Sequence, residues 1–412
     1  MIYLILPFFP TNKSSQQGVQ PLSSNESAIM KQYQPLASSA ANNRRALWTL
    51  SILTIPGRER YLENLVRSLN EQEFYNNAVI VVVYNRQVSA DEERSIEQFI
   101  NQTSENLPIE VYFNQFDTSI VGGRNFQLNL CKTPLIVFID DDVTLHEHIF
   151  PALLQEFLSK PVAILGVPSK IGATEDQFKP RSNTPFVTLD DIRFMPVQGM
   201  MIATYRKLLV DVGGFNTRRQ YWGEWTELNL RLWRWGYPTG YMMNHGFLRH
   251  WEDAPDSPTR SLARREQHVV WGLICTALEY NAVDTTEATE VFWQLVQERY
   301  LAYSFGDTLS AKHLLQTVLS LMPQLSAEWS SIVHFQKQAE QHPFQFMPFH
   351  NFTEEEVRSV LLGAKDRMRS YQADILFSET SPPQPTPKIQ RRTFSRFFSF
   401  SRLKRLFQSK NA

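Results

Sequence analysis

Cysteine is scarce in this sequence. Only Cys131 and Cys275 occur, each in apolar surroundings, so they read as buried thiols and exclude a disulfide framework. An excess of charge of one sign is lacking too. Against 42 Asp and Glu stand 41 Lys and Arg, and the net charge of −1 gives no electrostatic case for a nucleic-acid partner. The apolar opening MIYLILPFFP has about half the length a bilayer span needs. It also has neither a basic n-region nor a small-residue cleavage site, which argues against a signal peptide. A cytoplasmic protein is expected. What is present is ordinary for a globular chain: 42% hydrophobic and 20% charged residues over 412, enough for one large core with additions or for two domains.

Residues 11–43 are rich in Ser, Gln and Asn, and the segment 1–45 reads as a flexible leader. Order is expected from the β-type run LWTLSILTI, closed by Pro56-Gly57. A helix follows in ERYLENLVRSLNEQ, where Leu62, Leu65, Val66 and Leu69 recur at helical spacing. AVIVVVY (78–84) is a second buried strand, and Ser89 with Glu92 forms a capping box for ADEERSIEQFI. Next come a short strand IEVYF, a Gly-Gly turn, a helix from about Arg124 to Cys131, and a further apolar strand. Strands alternating with helices across short turns imply a parallel sheet with crossover helices, whose ligands lie beyond the carboxyl ends of the strands. Thr54, Asn85 and Asp140 all fall at such ends.

That last strand, in LIVFIDDDVTL (135–145), runs without a polar residue into Asp140-Asp141-Asp142. Three like charges there repel unless a cation or a hydrogen-bonding ligand sits among them. A solvated turn is the bland reading. A haloacid-dehalogenase-like phosphatase is a second, because Asp140, Asp142 and Thr144 fit D-x-D-x-T with an aspartate nucleophile. Its downstream metal motif is missing, since FGDTLS (305–310) lacks the second acid. The third is a sugar-nucleotide transferase, whose D-x-D holds Mg²⁺ or Mn²⁺ against a diphosphate, a task for hard oxygen ligands.

From Ser51 to His250 the motifs resemble, in order, those of GT-A glycosyltransferases, most closely family 2. SILTIPGRERYLENLVRSL resembles the family's first strand, nucleotide-binding turn and first helix. VIVVVYNR resembles its second strand, with Tyr84 and Asn85 where an Asp usually lies near the base. VGGRNFQLNLCKTPLIVFIDDDV matches its Arg-Asn helix, strand and D-x-D. GMMIATYRKLLVDVGGFN and YWGEWTELNLRLWRWGY resemble its donor-and-acceptor segment and its E-D-x-D-L-x-x-R stretch. The resemblance implies an α/β, GT-A (Rossmann-like), mostly parallel sheet flanked by helices. It implies transfer of a sugar, with inversion, from a nucleoside-diphosphate-sugar donor to a carbohydrate or lipid-linked acceptor. Asp142 would hold Mn²⁺ or Mg²⁺, with Asp140 and His250 as further ligands and His245 as a weaker candidate. Thr54, Arg58, Asn85, Arg124, Asp140 and Asp141 would meet the nucleotide. Trp225 stands where the family's general base is usual, so Glu224 or Glu227 would take the acceptor's proton; acids in a helix's first turn are also favoured by its dipole alone. Trp222 could stack on a sugar, while Trp233 and Trp235 read as packing. Arg260, Arg264 and Arg265 could close over the diphosphate.

The domains expected are therefore a leader (1–45), a GT-A domain (46–258), a C-terminal helical annex (259–377) and a Pro-rich linker with a basic tail (378–412). Thr353 with Glu356 caps a helix in the annex. The tail's interleaved phenylalanines and bases suit either an anionic membrane surface or a basic disordered segment. The chief alternative to an enzyme is a catalytically degenerate GT-A fold that binds nucleotide sugar or scaffolds at a membrane.

Overall fold

The structure, a computed structural model, describes residues 29–31, 46–74, 78–103, 107–114, 117–145, 148–171, 187–197, 199–243, 248–250, 262–281, 289–290, 292–294, 296, 311–340 and 353–380. The basic tail, the Pro-rich linker, His245 and Arg260 lie outside them, as do the side chains of Arg264 and Arg265.

The apolar runs become strands β2 (Trp48–Thr54), β3 (Ala78–Tyr84), β4 (Ile109–Phe113) and β5 (Leu135–Asp140). They lie side by side in parallel in the order β4-β3-β2-β5. Their near-continuous apolar sequences follow from burial on both faces. One face packs into the main core, whereas Val81, Val83 and Tyr112 meet Leu53, Phe126 and Leu130 on the other. The crossovers are helices α1 (Glu59–Asn70), α2 (Ala90–Thr103) and α3 (Ser119–Leu130). The Ser89–Glu92 box is formed, with Ser89 N donating to Glu92 Oε2 at 2.7 Å and Glu92 N to Ser89 Oγ at 3.2 Å.

Beyond β5 the chain makes β6 (Val143–Leu145), α4 (Phe150–Ser159), β7 (Ile164–Gly166), β8 (Ser169–Ile171) and the hairpin β9 (Val187–Leu189)–β10 (Ile192–Phe194). It continues through β11 (Met201–Tyr205), α5 (Arg206–Asp211), a 3₁₀ turn (Thr217–Arg219), α6 (Glu224–Arg234), β12 (Thr239–Met242) and β13 (Leu248–His250). β11 inserts antiparallel between β5 and β7, and β12 pairs parallel with β7. The central strands β4, β3, β2, β5, β7 and β12 thus all run one way. A separate three-stranded sheet, β6-β13-β8, grows from the end of β5.

Three sequence expectations change. Ile29–Lys31, inside the presumed leader, forms an edge strand β1 antiparallel to β4. The two glycines do not make a turn: Gly122 and Gly123 lie within α3. A Cβ on Gly123 would stand 2.6 Å from Leu53 Cδ1, so the glycine lets α3 press onto β2. The annex is not one body either. Helices α7 (Leu262–Asn281) and α8 (Ala311–Glu340) share their own apolar cluster. Helix α9 (Glu354–Thr380), capped by Thr353 and Glu356 as expected, instead buries Val357, Val360, Ala364, Met368, Tyr371 and Ile375 in the main core. Its Gln372 side chain donates to the carbonyls of Phe157 and Lys160, and Arg367 donates to that of Gly236.

Cys131 and Cys275 are free and buried, and burial pushes both thiols up to about 12. Among the described residues no helix is long and apolar enough to cross a membrane.

Because α9 belongs to the main core, Met368→Ala should destabilise the sheet domain itself, by about 2–5 kcal/mol. Urea unfolding followed by tryptophan fluorescence should show one transition with a lowered midpoint; an unchanged midpoint would mean that α9 folds apart.

Candidate active site

The acidic triplet marks the carboxyl end of β5, and the neighbouring strands decide what surrounds it. Parallel register sets Leu53 of β2 beside Asp140, so Thr54 and the turn after it reach Asp141. On the other side Met200 accepts a hydrogen bond from Asp140 N at 2.7 Å. The chain then turns through Asp141 and Asp142 into β6, where Val143 is directly opposite His250 on β13. That antiparallel register brings a histidine from a distant part of the sequence to Asp142.

The three aspartates have different partners. Asp141 is buried and faces inward. Arg58 Nε and Nη2 donate to its Oδ2 and Oδ1 at 2.8 and 2.6 Å, and Thr54 Oγ1 donates to Oδ2 at 2.5 Å. Burial pushes the Asp141 carboxyl upward and Arg58 pulls it back. We take it as ionised, because a two-pronged pair with a guanidinium that stays charged outweighs the desolvation. The Arg58 guanidinium also lies over the Tyr61 ring at 5.2 Å.

Asp142 accepts from the same Arg58 Nη2 through Oδ2 at 2.9 Å, while its Oδ1 lies 3.6 Å from His250 Nε2. Burial disfavours its charge, but His250 and Arg58 prevail and hold it below the usual carboxylate range. Asp140 points the other way, with its side chain 41% exposed and its Oδ1 3.3 Å from Arg124 Nη2. Packing around it, together with the Asp142, Asp141 and Glu224 carboxylates, pushes Asp140 up to about 7 against the pull of Arg124. The solvent at this exposed group damps that shift.

Arg124 links the triplet to α6. Its Nε is 3.7 Å from Glu224 Oε1, and its guanidinium lies 5.1 Å from the Trp225 ring and 5.8 Å from that of Phe138. Trp225, in the place of the expected acid, closes an aromatic triangle with Phe138 and Phe215 and gives Arg124 a face to stack on. Glu224 opens α6 after Gly223, whose φ of 79° is left-handed and suits glycine.

Glu227, one turn on, is wholly buried. Both of its oxygens are held by Arg231 at 3.0 Å, and Tyr280 Oη donates to Oε1 at 2.8 Å. It is a member of a core ion pair. Trp222 is half-buried against the cluster of α7 and α8, not free in a loop. Trp233 is core, its Nε1 donating to Thr239 Oγ1.

Asn85 sits at the end of β3 as expected, but in an internal network. Its Oδ1 accepts from Thr118 Oγ1 at 2.6 Å and Asn114 Nδ2 at 2.8 Å, and its Nδ2 donates to the Ser119 carbonyl. Asn114 and Thr118 were not singled out by sequence, and Asn125 only as the partner of Arg124 in the Arg-Asn pair. Asn125 fixes the backbone of Phe215 from both sides, through Nδ2 to O and Oδ1 from N. The adjacency of Asn125 to Arg124 was its only signal.

Do these residues suit a divalent ion? Among the described residues no group of three or more His, Cys, Asp or Glu could hold one. Asp142 Oδ1 and His250 Nε2 nevertheless face each other just beyond hydrogen-bonding reach, as a carboxylate and an imidazole flanking a cation would. An ion that keeps substrate phosphates and waters as ligands needs only one or two protein groups. The pair fits.

This mostly parallel sheet flanked by helices, with an acidic cluster at the mouth of its middle strand, is the architecture that the resemblance to GT-A glycosyltransferases implied. The chain belongs to the glycosyltransferase-like family 2, which it matches over residues 52–272, more than half its length. No curated protein matches it in sequence. Among solved structures it is similar to S. aureus TarS 1-349, with 13% identity over 82% of this chain and 93% of that one and a TM-score of 0.46. It is also similar to the mannosyltransferase PcManGT from Pyrobaculum calidifontis in complex with GDP-Man and Mn²⁺ (15% identity, 83% and 88% covered, TM-score 0.44). A third is GalNAc-T7 with UDP, GalNAc and Mn²⁺, at 13% identity and a TM-score of 0.44, where 63% of this chain spans 58% of that one.

The raised Asp140 carboxyl carries a sign. Its native form holds the proton above its ordinary 3.8, so the fold loses stability as pH rises past that value. Asp140→Asn should accordingly raise the Tm of the cation-free protein more at pH 8 than at pH 5, in thermal scans with EDTA. An equal gain at both values would contradict the crowding described.

Proposed function

We propose that the protein transfers a sugar, with inversion and with a divalent cation, from a nucleoside-diphosphate sugar to a hydroxyl of a carbohydrate or lipid-linked acceptor. One observation carries this reading: Asp142 Oδ1 and His250 Nε2 converge beside the exposed Asp140 carboxylate, where the central and small sheets meet.

Asp142 and His250 would hold the cation. Imidazole suits a first-row transition ion, so Mn²⁺ is favoured over Mg²⁺. When bound, the ion supplies positive charge to the departing diphosphate. Asp140 is placed to accept from ribose hydroxyls. Thr54 and Arg58 hold Asp141 and Asp142, and the Arg58 Nη1 nitrogen, which has no partner among the described residues, would be left to meet the nucleotide.

Glu224 takes the proton of the acceptor hydroxyl. The acceptor oxygen forms its bond to the anomeric carbon as the bond to the diphosphate oxygen breaks, and that electron pair leaves with the nucleoside diphosphate. Arg124 lies between Asp140 and Glu224 and separates the two carboxylates.

Asp142→Asn should abolish hydrolysis and transfer of UDP-glucose, GDP-mannose or dTDP-glucose and remove Mn²⁺ binding in calorimetry, with the circular dichroism unchanged. Retained Mn²⁺ binding would overturn the cation assignment. The two glutamates should separate cleanly. Glu224→Gln lowers turnover by about 10²–10⁴-fold with donor affinity and Tm kept. Glu227→Gln strands Arg231 and costs about 3–5 kcal/mol of stability. Full turnover by Glu224→Gln would remove it as the base, and donor binding without turnover in the natural protein would favour the binding-module reading.

A further inference from the structure

The match to the family ends at residue 272, part-way along α7. A buried polar anchorage outside the acidic triplet lies just beyond that point. Glu279, near the end of α7, has a side chain with no exposure, and three groups of one short loop converge on it. Arg219 Nη2 donates to Oε2 at 2.5 Å, Arg218 Nε to Oε1 at 2.7 Å, and Asn216 Nδ2 to Oε1 at 3.3 Å. The Arg219 side chain is equally buried, and its Nη1 donates to the carbonyl of Gly272 at 2.9 Å. Trp271 Nε1 donates to the carbonyl of Arg218 at 2.8 Å.

The loop tied down in this way leads straight to Glu224, five residues after Arg219. It has little slack. Gln220 is held at a φ of 30°, in the left-handed region that a non-glycine residue rarely adopts, and its carbonyl accepts from Val121 N at the start of α3. Trp222 lies so close to α7 that a Cβ on Gly272 would stand 3.2 Å from its carbonyl oxygen. Tyr280, the next residue of α7, reaches the far side of the same helix N-terminus and donates to Glu227, both at the carboxylate and at the carbonyl. Helix α7 therefore grips Glu224 from before, through the loop, and from after, through the first turn of α6.

We propose that α7 is part of the catalytic unit and that Glu279 is a positioning residue, which sets Glu224 through Arg218, Arg219 and loop 216–223. The inference rests on Glu224 being the base. A buried carboxylate paired with one fully buried and one partly buried arginine is an expensive way to fasten a loop, because these charges must be desolvated. What it gives is a fixed geometry, since a bidentate, charge-assisted contact tolerates little displacement. A shift of about 1 Å at a reacting group can cost 10²-fold in rate.

The test uses the full chain with Glu279→Asp, which keeps the charge and withdraws it by one methylene, and Glu279→Gln, which keeps the reach and removes the charge. Three quantities are read: kcat on the best donor among UDP-glucose, GDP-mannose and dTDP-glucose; the Kd of the matching nucleoside diphosphate with Mn²⁺; and amide hydrogen exchange across 216–224. Glu279→Asp should lose at least about tenfold in kcat, with Kd unchanged and faster exchange confined to 216–224. Glu279→Gln should lose at least as much; if it fails to fold, the Asp variant decides alone. A kcat within twofold of the natural protein, or a Kd and global exchange that change together with kcat, would overturn the proposal. Glu224→Gln is run beside them. If it is inactive while Glu279→Asp is fully active, the base assignment stands and positioning falls. If Glu224→Gln is fully active, the base assignment falls and the positioning of Glu224 falls with it, whatever the exchange shows.

Discussion

Arg58 is the residue that makes the end of β5 tolerable. Two like charges about 4 Å apart repel by roughly 4 kcal/mol at an effective dielectric of 20, and Asp140-Asp141-Asp142 contains three. The guanidinium divides them. It pairs wholly with Asp141, shares one nitrogen with Asp142, and leaves Asp140 to Arg124. Thr54, at the end of the adjacent parallel strand, completes the inner pair. Consecutive residues of one sequence thus acquire three characters: a neutralised anchor, a half-engaged carboxylate and an exposed one. The first of these holds the turn that aims the other two.

The site also depends on a junction between sheets. β5 ends in the large sheet, and after two intervening residues β6 begins the small one. Its pairing with β13 places His250 at the junction by backbone hydrogen bonding, independently of any side-chain chemistry. On the opposite flank, α3 approaches β2 closely because Gly123 has no side chain, and this carries Arg124 over the triplet. Trp225 then has a plain structural role. Where the resemblance places an acid, an indole face supports the arginine that bridges Asp140 and Glu224.

Much of this was readable in advance, for physical reasons. β3 and β4 coincide with AVIVVVY and IEVYF because a strand buried on both faces must be apolar throughout, and such runs end abruptly. Both capping boxes were legible because they are local. The Gly-Gly pair was misread because a glycine required for close packing looks like one required for a turn. Strands of three residues, such as β6 and β13, are too short to show a period. Glu227 looked as good a base as Glu224, since only the fold turns one toward Arg124 and the other toward Arg231 and Tyr280. The Glu279 anchorage spans some 60 residues and has no local pattern at all.

The return of α9 to the main core bears on how the protein can be cut. The stretch carrying α8 is fastened at both ends, by α7 beside loop 216–223 and by α9 against α4, α5 and the turn after α6. It is an excursion from one body and not a detachable tail. A fragment ending at the family boundary, residue 272, would sever α7 midway and uncover the apolar seat of Met368 and Ile375. Such a fragment invites self-association through that bare surface. The smallest unit expected to remain monodisperse therefore reaches through Thr380, more than 100 residues past the last recognisable family motif.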